Sequence, residues 1–94
     1  MVDRIMTLHP DPNKRGVNIS REKYERVCSA ILEAVKTHSE ITFSDLVKAV
    51  QERLGDHFDG SIPWYVTTVK LDLEARQMIE RIPGSSPQRL RIPG

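Results

Sequence analysis

The sequence predicts a mainly α domain of the α+β class, with three helices closed by a small C-terminal β-hairpin. The expected order is helix, strand, helix, helix, strand, strand. Three observations carry that expectation. Apolar residues recur at three- and four-residue spacing in three separate stretches, as they do in helices with one buried face. Gly55 and a polar run part the second stretch from the third. Near the C-terminus two short β-type runs flank Pro83-Gly84-Ser85-Ser86-Pro87-Gln88, a dense turn signal. A chain of 94 residues, 38% of them hydrophobic, has the size of one domain with a modest core.

Residues 1–19 read as an extended N-terminal arm ahead of a domain at 20–92. His9-Pro10 and Asp11-Pro12 are X-Pro steps that push the backbone away from helix, and Gly16 breaks it again. Val17 and Ile19 can tack the end of the arm onto the body. Helix 1 starts at Ser20, whose hydroxyl suits an N-cap, and Tyr24, Val27, Cys28, Ile31, Leu32 and Val35 form its apolar stripe. Glu40-Ile41-Thr42-Phe43 is β-branched and aromatic, suited to a short strand. Ser44 is the expected N-cap of helix 2, with Leu46, Val47, Val50 and Leu54 inward and Gly55 as the stop. Phe58 can plug the core from the loop that follows. Helix 3 starts at Ser61 with Pro63 in its first turn, and Ile62, Val66, Val69 and Leu73 face inward. Strands are expected at Met78–Ile82 and Arg89–Ile92.

The run Leu73-Glu74-Ala75-Arg76-Gln77-Met78-Ile79-Glu80-Arg81 resembles the common end of a winged helix-turn-helix recognition helix, with Gln77 where glycine is usual. That resemblance spans roughly residues 20–92 and implies a winged helix-turn-helix architecture, in which the hairpin is the wing. The chain with its His9-Pro10-Asp11-Pro12-Asn13-Lys14 arm also resembles a family of small uncharacterised bacterial proteins. This implies a bacterial origin and supplies no activity.

Composition excludes several classes. No apolar run approaches the ~20 residues that span a bilayer, and the N-terminus lacks the apolar core of a signal peptide. A single cysteine suits a reducing compartment, so a cytoplasmic location is expected. His9, His38 and His57 lie apart, and only His57 has acidic neighbours, Asp56 and Asp59; a polar loop explains them better than a metal site. Cys28 sits in the apolar stripe of helix 1, as a structural thiol does. Gly84-Ser85-Ser86 lacks the lysine and helix of a phosphate loop. The residues point to no enzyme, no cofactor and no small-molecule substrate.

Charge distribution points toward nucleic acid. Residues 20–75 carry seven Lys/Arg against ten Asp/Glu, whereas residues 76–94 carry four arginines against Glu80. On a winged helix, Arg76, Arg81, Arg89 and Arg91 are expected on phosphates. Ser85 and Ser86 at the tip are expected to donate to phosphate oxygens. Thr67, Thr68 and Lys70 of helix 3 would meet the groove, and Lys14 and Arg15 on the arm are possible further contacts. Helix 3 is a weak reading head, since Asp72 and Glu74 outnumber Lys70. Its outward Trp64 and Leu71 support an alternative, a protein-interaction or dimerisation face. Core packing is the first expectation for Trp64, an interface the second and base contact the last. Both functions occur on winged helices, so the fold alone does not choose between them.

Overall fold

The chain folds as an α+β unit of three helices and two small antiparallel sheets, described for residues 3–93 in a computed structural model. Residues 1 and 2 of the expected arm lie outside the described residues. Helix α1 (Arg21–His38) starts at Ser20, whose Oγ accepts the Lys23 N–H at 3.3 Å, and it buries Tyr24, Val27, Ala30, Ile31, Ala34 and Val35. Cys28 is half-buried beside this stripe, and burial raises its thiol pKa, with the charge of Asp72 adding to the effect. Helix α3 (Ile62–Ala75) is capped by Ser61, and its second residue is Pro63, whose missing N–H costs nothing there.

Helix α2 (Phe43–Leu54) starts two residues earlier than expected from a cap at Ser44. Thr42 is the cap, its Oγ1 accepting the Asp45 N–H at 3.1 Å, so Phe43 belongs to the helix and not to the strand. Both residues fit a cap by type. Thr42 wins because its extended backbone closes the preceding strand, whose pairing ends at that residue. Gly55 ends α2 in a left-handed conformation, with its N–H returned to the Gln51 carbonyl, and a short 3-10 turn follows.

Three strands, β3 (Glu40–Thr42), β4 (Glu80–Arg81) and β5 (Arg89–Arg91), form one sheet in the order β3-β5-β4. Strands β4 and β5 are shorter than the runs that predicted them. The start of β4 is delayed because α3 ends in a Schellman turn. Gln77 adopts φ +62°, and the Met78 N–H reaches back to the Leu73 carbonyl at 2.9 Å. Leu90 points inward from the central strand, between Ile41 on β3 and Arg81 on β4 in the register. The core runs from Ile19 through α1, Leu46 and Val50 of α2, Phe58, and Val66, Val69 and Leu73 of α3 to Ile79 and Leu90.

The expected arm is instead a second antiparallel hairpin. Strand β1 (Arg4–Met6) pairs with β2 (Asn18–Ser20) in the register Arg4–Ser20, Ile5–Ile19, Met6–Asn18. Ile19 is buried and Ile5 packs against the core beside it. The proline-rich residues that argued for an extended arm occupy the connecting loop. Gly16 is required there because a Cβ would stand 1.9 Å from the Thr7 carbonyl oxygen.

Candidate functional site

Helix α3 is buried on more than one side, and that decides which of its residues can meet a ligand. Val66, Val69 and Leu73 face the core, while Asp72, with no exposed surface, lies toward the N-terminal hairpin. Both oxygens of Asp72 are used. Oδ1 accepts the Leu8 N–H at 2.8 Å; Oδ2 accepts the Tyr24 hydroxyl and the Arg76 Nε–H, the latter at 2.9 Å. A carboxylate buried this deeply persists because charge-assisted hydrogen bonds replace its water. Arg76, expected on phosphate, is therefore committed to Asp72 and holds that carboxylate in place.

Burial pushes the Tyr24 phenol far above the ordinary tyrosine range of about 10, with its bond to Asp72 and that residue's charge adding to the shift. The unfolded chain then loses this proton before the folded one does. Stability from Tyr24 is complete below about pH 10 and falls as pH rises toward the folded value. Ultraviolet titration of phenolate is expected to show a late component that Tyr24→Phe removes. Complete ionisation by about pH 11 with the fold intact would contradict this.

Lys70, expected at the groove, is buried. Its side chain is only 4% exposed, with Nζ donating to Gln88 Oε1 at 3.0 Å and to both oxygens of Glu74 at 3.4 Å, 5.7 Å from the centre of the Phe43 ring. Burial lowers its pKa and the Glu74 carboxylate opposes the shift. Lys70 thus ties α3 to the start of β5. It lies beside the core stripe of α3, and the turn of the β4–β5 hairpin folds over that position.

The hairpin arginines divide. Arg91 stands opposite Glu40 and Glu80 in the register and pairs with the Glu80 carboxylate, so its charge is compensated locally. Arg81 lies 4.0 Å from Glu74 and remains exposed. Arg89 is exposed and has no carboxylate partner among the described residues. Ser85 is also committed, its hydroxyl donating to the Ile82 carbonyl at 3.0 Å and accepting the Arg89 N–H at 3.1 Å, while Ser86 is exposed.

The loop between β1 and β2 changes the picture further. Thr7, Leu8, Arg15 and Val17 meet Thr68 and Leu71 of α3 around a small void of about 60 Å³. Arg15 is thereby brought beside the helix face that carries Thr67 and Thr68, and it and Lys14 are exposed without a carboxylate partner among the described residues. On its other side the loop places Pro10 and Asp11 against Arg81, Glu80 and Gln77 in an open cleft of about 670 Å³. The carboxylates of that cleft are largely answered from within, Glu74 by Lys70 and Arg81, and Glu80 by Arg91.

Trp64 is not in the core, contrary to the first expectation. It is 47% exposed, because the loop covers α3 only from Thr68 onward and nothing among the described residues folds over the first turn. Its ring stands edge-on against Tyr65, and Tyr65 edge-on against buried Phe58, at centroid distances of 4.9 and 5.1 Å. Thr67 is exposed on the same turn, with its hydroxyl donating to the Pro63 carbonyl at 2.9 Å. Sequence reasoning missed Asp72, Tyr24 and Gln88 as a supporting framework. The four-residue spacings Lys70/Glu74 and Asp72/Arg76 were the local signals available.

Among the described residues no group of three or more His, Cys, Asp or Glu side chains is placed to hold a metal ion, and no helix is long and apolar enough to cross a membrane. The chain belongs to DUF6958, a family of unknown function, whose profile matches residues 4–90. No curated protein matches it.

Proposed function

We propose that this member of a family of unknown function is a winged helix-turn-helix domain that binds duplex nucleic acid. In this reading α2 and α3 are the helix-turn-helix and β4–β5 is the wing; the pairing of β3 with the last strand, β5, supports it. The observation that carries the functional reading is the pair of exposed arginines that flank α3: Arg15 of the N-terminal loop borders Thr68 and Leu71, and Arg81 of the hairpin shares a cleft with Glu74 and Gln77. Lys14 and Arg89 are exposed on the same two elements. These four contact phosphates with Ser86, while Thr67 and the open first turn of α3 face the groove. Arg76, Arg91, Lys70 and Ser85 serve the framework.

With four phosphate contacts, binding to random-sequence duplex DNA is expected to weaken with salt at a log–log slope of about −3 to −4. Arg15→Ala/Arg89→Ala is expected to bring that slope about two closer to zero. Fluorescence anisotropy over a salt series measures both. Absence of binding at the lowest salt overturns the reading.

A second reading is favoured by the exposure of Trp64. A tryptophan held edge-on by Tyr65, which is itself braced edge-on by buried Phe58, is a preorganised anchor for a protein partner or a second copy of the chain. It predicts self-association in sedimentation experiments that Trp64→Ala abolishes without unfolding the domain. Monomeric behaviour at high concentration, unchanged by the substitution, argues against the homodimer.

A further inference from the structure

We infer that residues 3–17, strand β1 and the loop after it, are a detachable cover on α3, an autoinhibitory contact displaced when nucleic acid binds. The identity of the displacing ligand rests on the nucleic-acid reading above; the detachment itself does not.

The cover lies across the half of α3 that a groove would need. It meets Thr68 and Leu71, and leaves Thr67 and Trp64 open one turn earlier. A rigid duplex that received the first turn of α3 would meet the loop next.

The attachment is loose where it touches the helix. Loop and helix meet around a gap of about 60 Å³ that is open to solvent. Leu8 and Val17, which border it, remain 44% and 37% exposed. The firm part of the hairpin is Ile19, and it sits on β2, which runs directly into α1. The segment adds Ile5, partly buried, and buried Thr7, whose polar atoms pair with Val17. Its remaining ties are the short β1–β2 ladder, the exposed Arg4 side chain on Asn18, Asp3 against the side chain and N–H of Arg21, and the part-buried Leu8 N–H on Asp72.

Asp72 is arranged so that the cover can leave. Two of its three partners, Tyr24 and Arg76, belong to α1 and α3. When the Leu8 N–H departs, the carboxylate keeps a cation and a hydroxyl, and the vacated oxygen faces incoming water. The helical body therefore stays folded around a compensated charge. That condition separates local opening from global unfolding.

A ligand shifts such an equilibrium only if it prefers the open form. Here the preference comes from two sources. Opening uncovers Thr68 and Leu71 for contact. The released segment, still tethered at Asn18, carries Lys14 and Arg15, which can follow the phosphate backbone. The closed form then lowers the apparent affinity by the fraction of molecules that are open.

Hydrogen exchange on the unmodified chain is the first test. The amides of Thr7, Leu8 and Val17 are expected to exchange together, at least about tenfold faster than buried amides of α1 and α3. Exchange of these amides only at the global unfolding rate overturns the cover, whatever the variants do. Gly16→Ala is the second test, since its Cβ cannot share space with the Thr7 carbonyl oxygen. It is expected to speed exchange at those amides further and to tighten binding of random-sequence duplex DNA at least about threefold. Normal wild-type binding with no gain in an opened Gly16→Ala variant overturns the gating and leaves the nucleic-acid reading intact. No DNA binding by either protein overturns the nucleic-acid reading and the gating with it. Should Gly16→Ala fail to fold, the wild-type exchange pattern decides alone.

Discussion

Asp72→Ala is expected to destabilise the domain by about 3–5 kcal/mol, the cost of removing one partner from a buried charged network. The substitution leaves three donors without their acceptor: the Tyr24 hydroxyl, the Leu8 N–H and the Arg76 guanidinium. Arg76 is 37% exposed in its side chain and can turn to water, so most of the penalty falls on the buried Tyr24 hydroxyl, with a smaller share on the part-buried Leu8 N–H. Each buried unsatisfied group costs about 1–3 kcal/mol, which agrees with the lower half of that range. The melting temperature should fall by roughly 12–40 °C, because a domain of this size loses about 4–8 °C per kcal/mol. Asp72→Asn keeps an acceptor for one donor and should fall between the two. Thermal denaturation of the three proteins checks the order. A drop of only a few degrees for Asp72→Ala would show that the network is dispensable.

Leu90→Ala is the second large effect, about 3–4 kcal/mol, within the range for leucine truncation in a packed core. Leu90 is fully buried on the central strand of a three-stranded sheet, opposite Ile41, with Ile79 also buried nearby. Strands on both sides limit how far the backbone can close the gap, so the cavity term stays near its full size. The neighbouring Arg89→Ala, at an exposed position on the same strand, should change stability by no more than about 0.5 kcal/mol. Chemical denaturation of the pair separates the inward role of β5 from its outward one. Equal destabilisation by both substitutions would contradict the assigned alternation.

The contrast between those two residues shows which parts of the molecule were legible beforehand. Leu90 between two arginines is a period-2 pattern, and a strand with one buried face follows from it without further knowledge. Ser20 and Ser61 cap their helices because a hydroxyl one residue before an apolar helical stripe has a local task to perform. Gly55 stops α2 for an equally local reason, its left-handed backbone. Thr42 and Ser44 show the limit of such reasoning. Both are competent caps, and pairing of β3 with β5 ends the strand at Thr42 and so selects it.

The candidate site was far less legible, because its character depends on which charges remain free. Arg91 and Arg89 are indistinguishable by type and spacing. Only the register with Glu40 and Glu80 shows that Arg91 is compensated and Arg89 is not. Lys70 reads by type as a free surface cation, yet the fold brings Gln88 and Phe43 over it and it becomes a structural tie. Arg15 lies more than fifty positions from Thr68 in the chain, and the N-terminal hairpin sets them side by side.

The division has a simple physical origin. Helix caps, apolar periodicity, turn residues and strand alternation are satisfied by groups a few positions apart, so residue type and spacing already specify three helices and short strands. Neutralisation of a charge and coverage of a surface require partners from distant parts of the chain. Asp72 draws on residues 64 and 48 positions away. Those pairings arise only when the elements pack. Packing gave Arg76, Lys70 and Arg91 carboxylate partners, left Trp64 in solvent, and laid the N-terminal loop across α3.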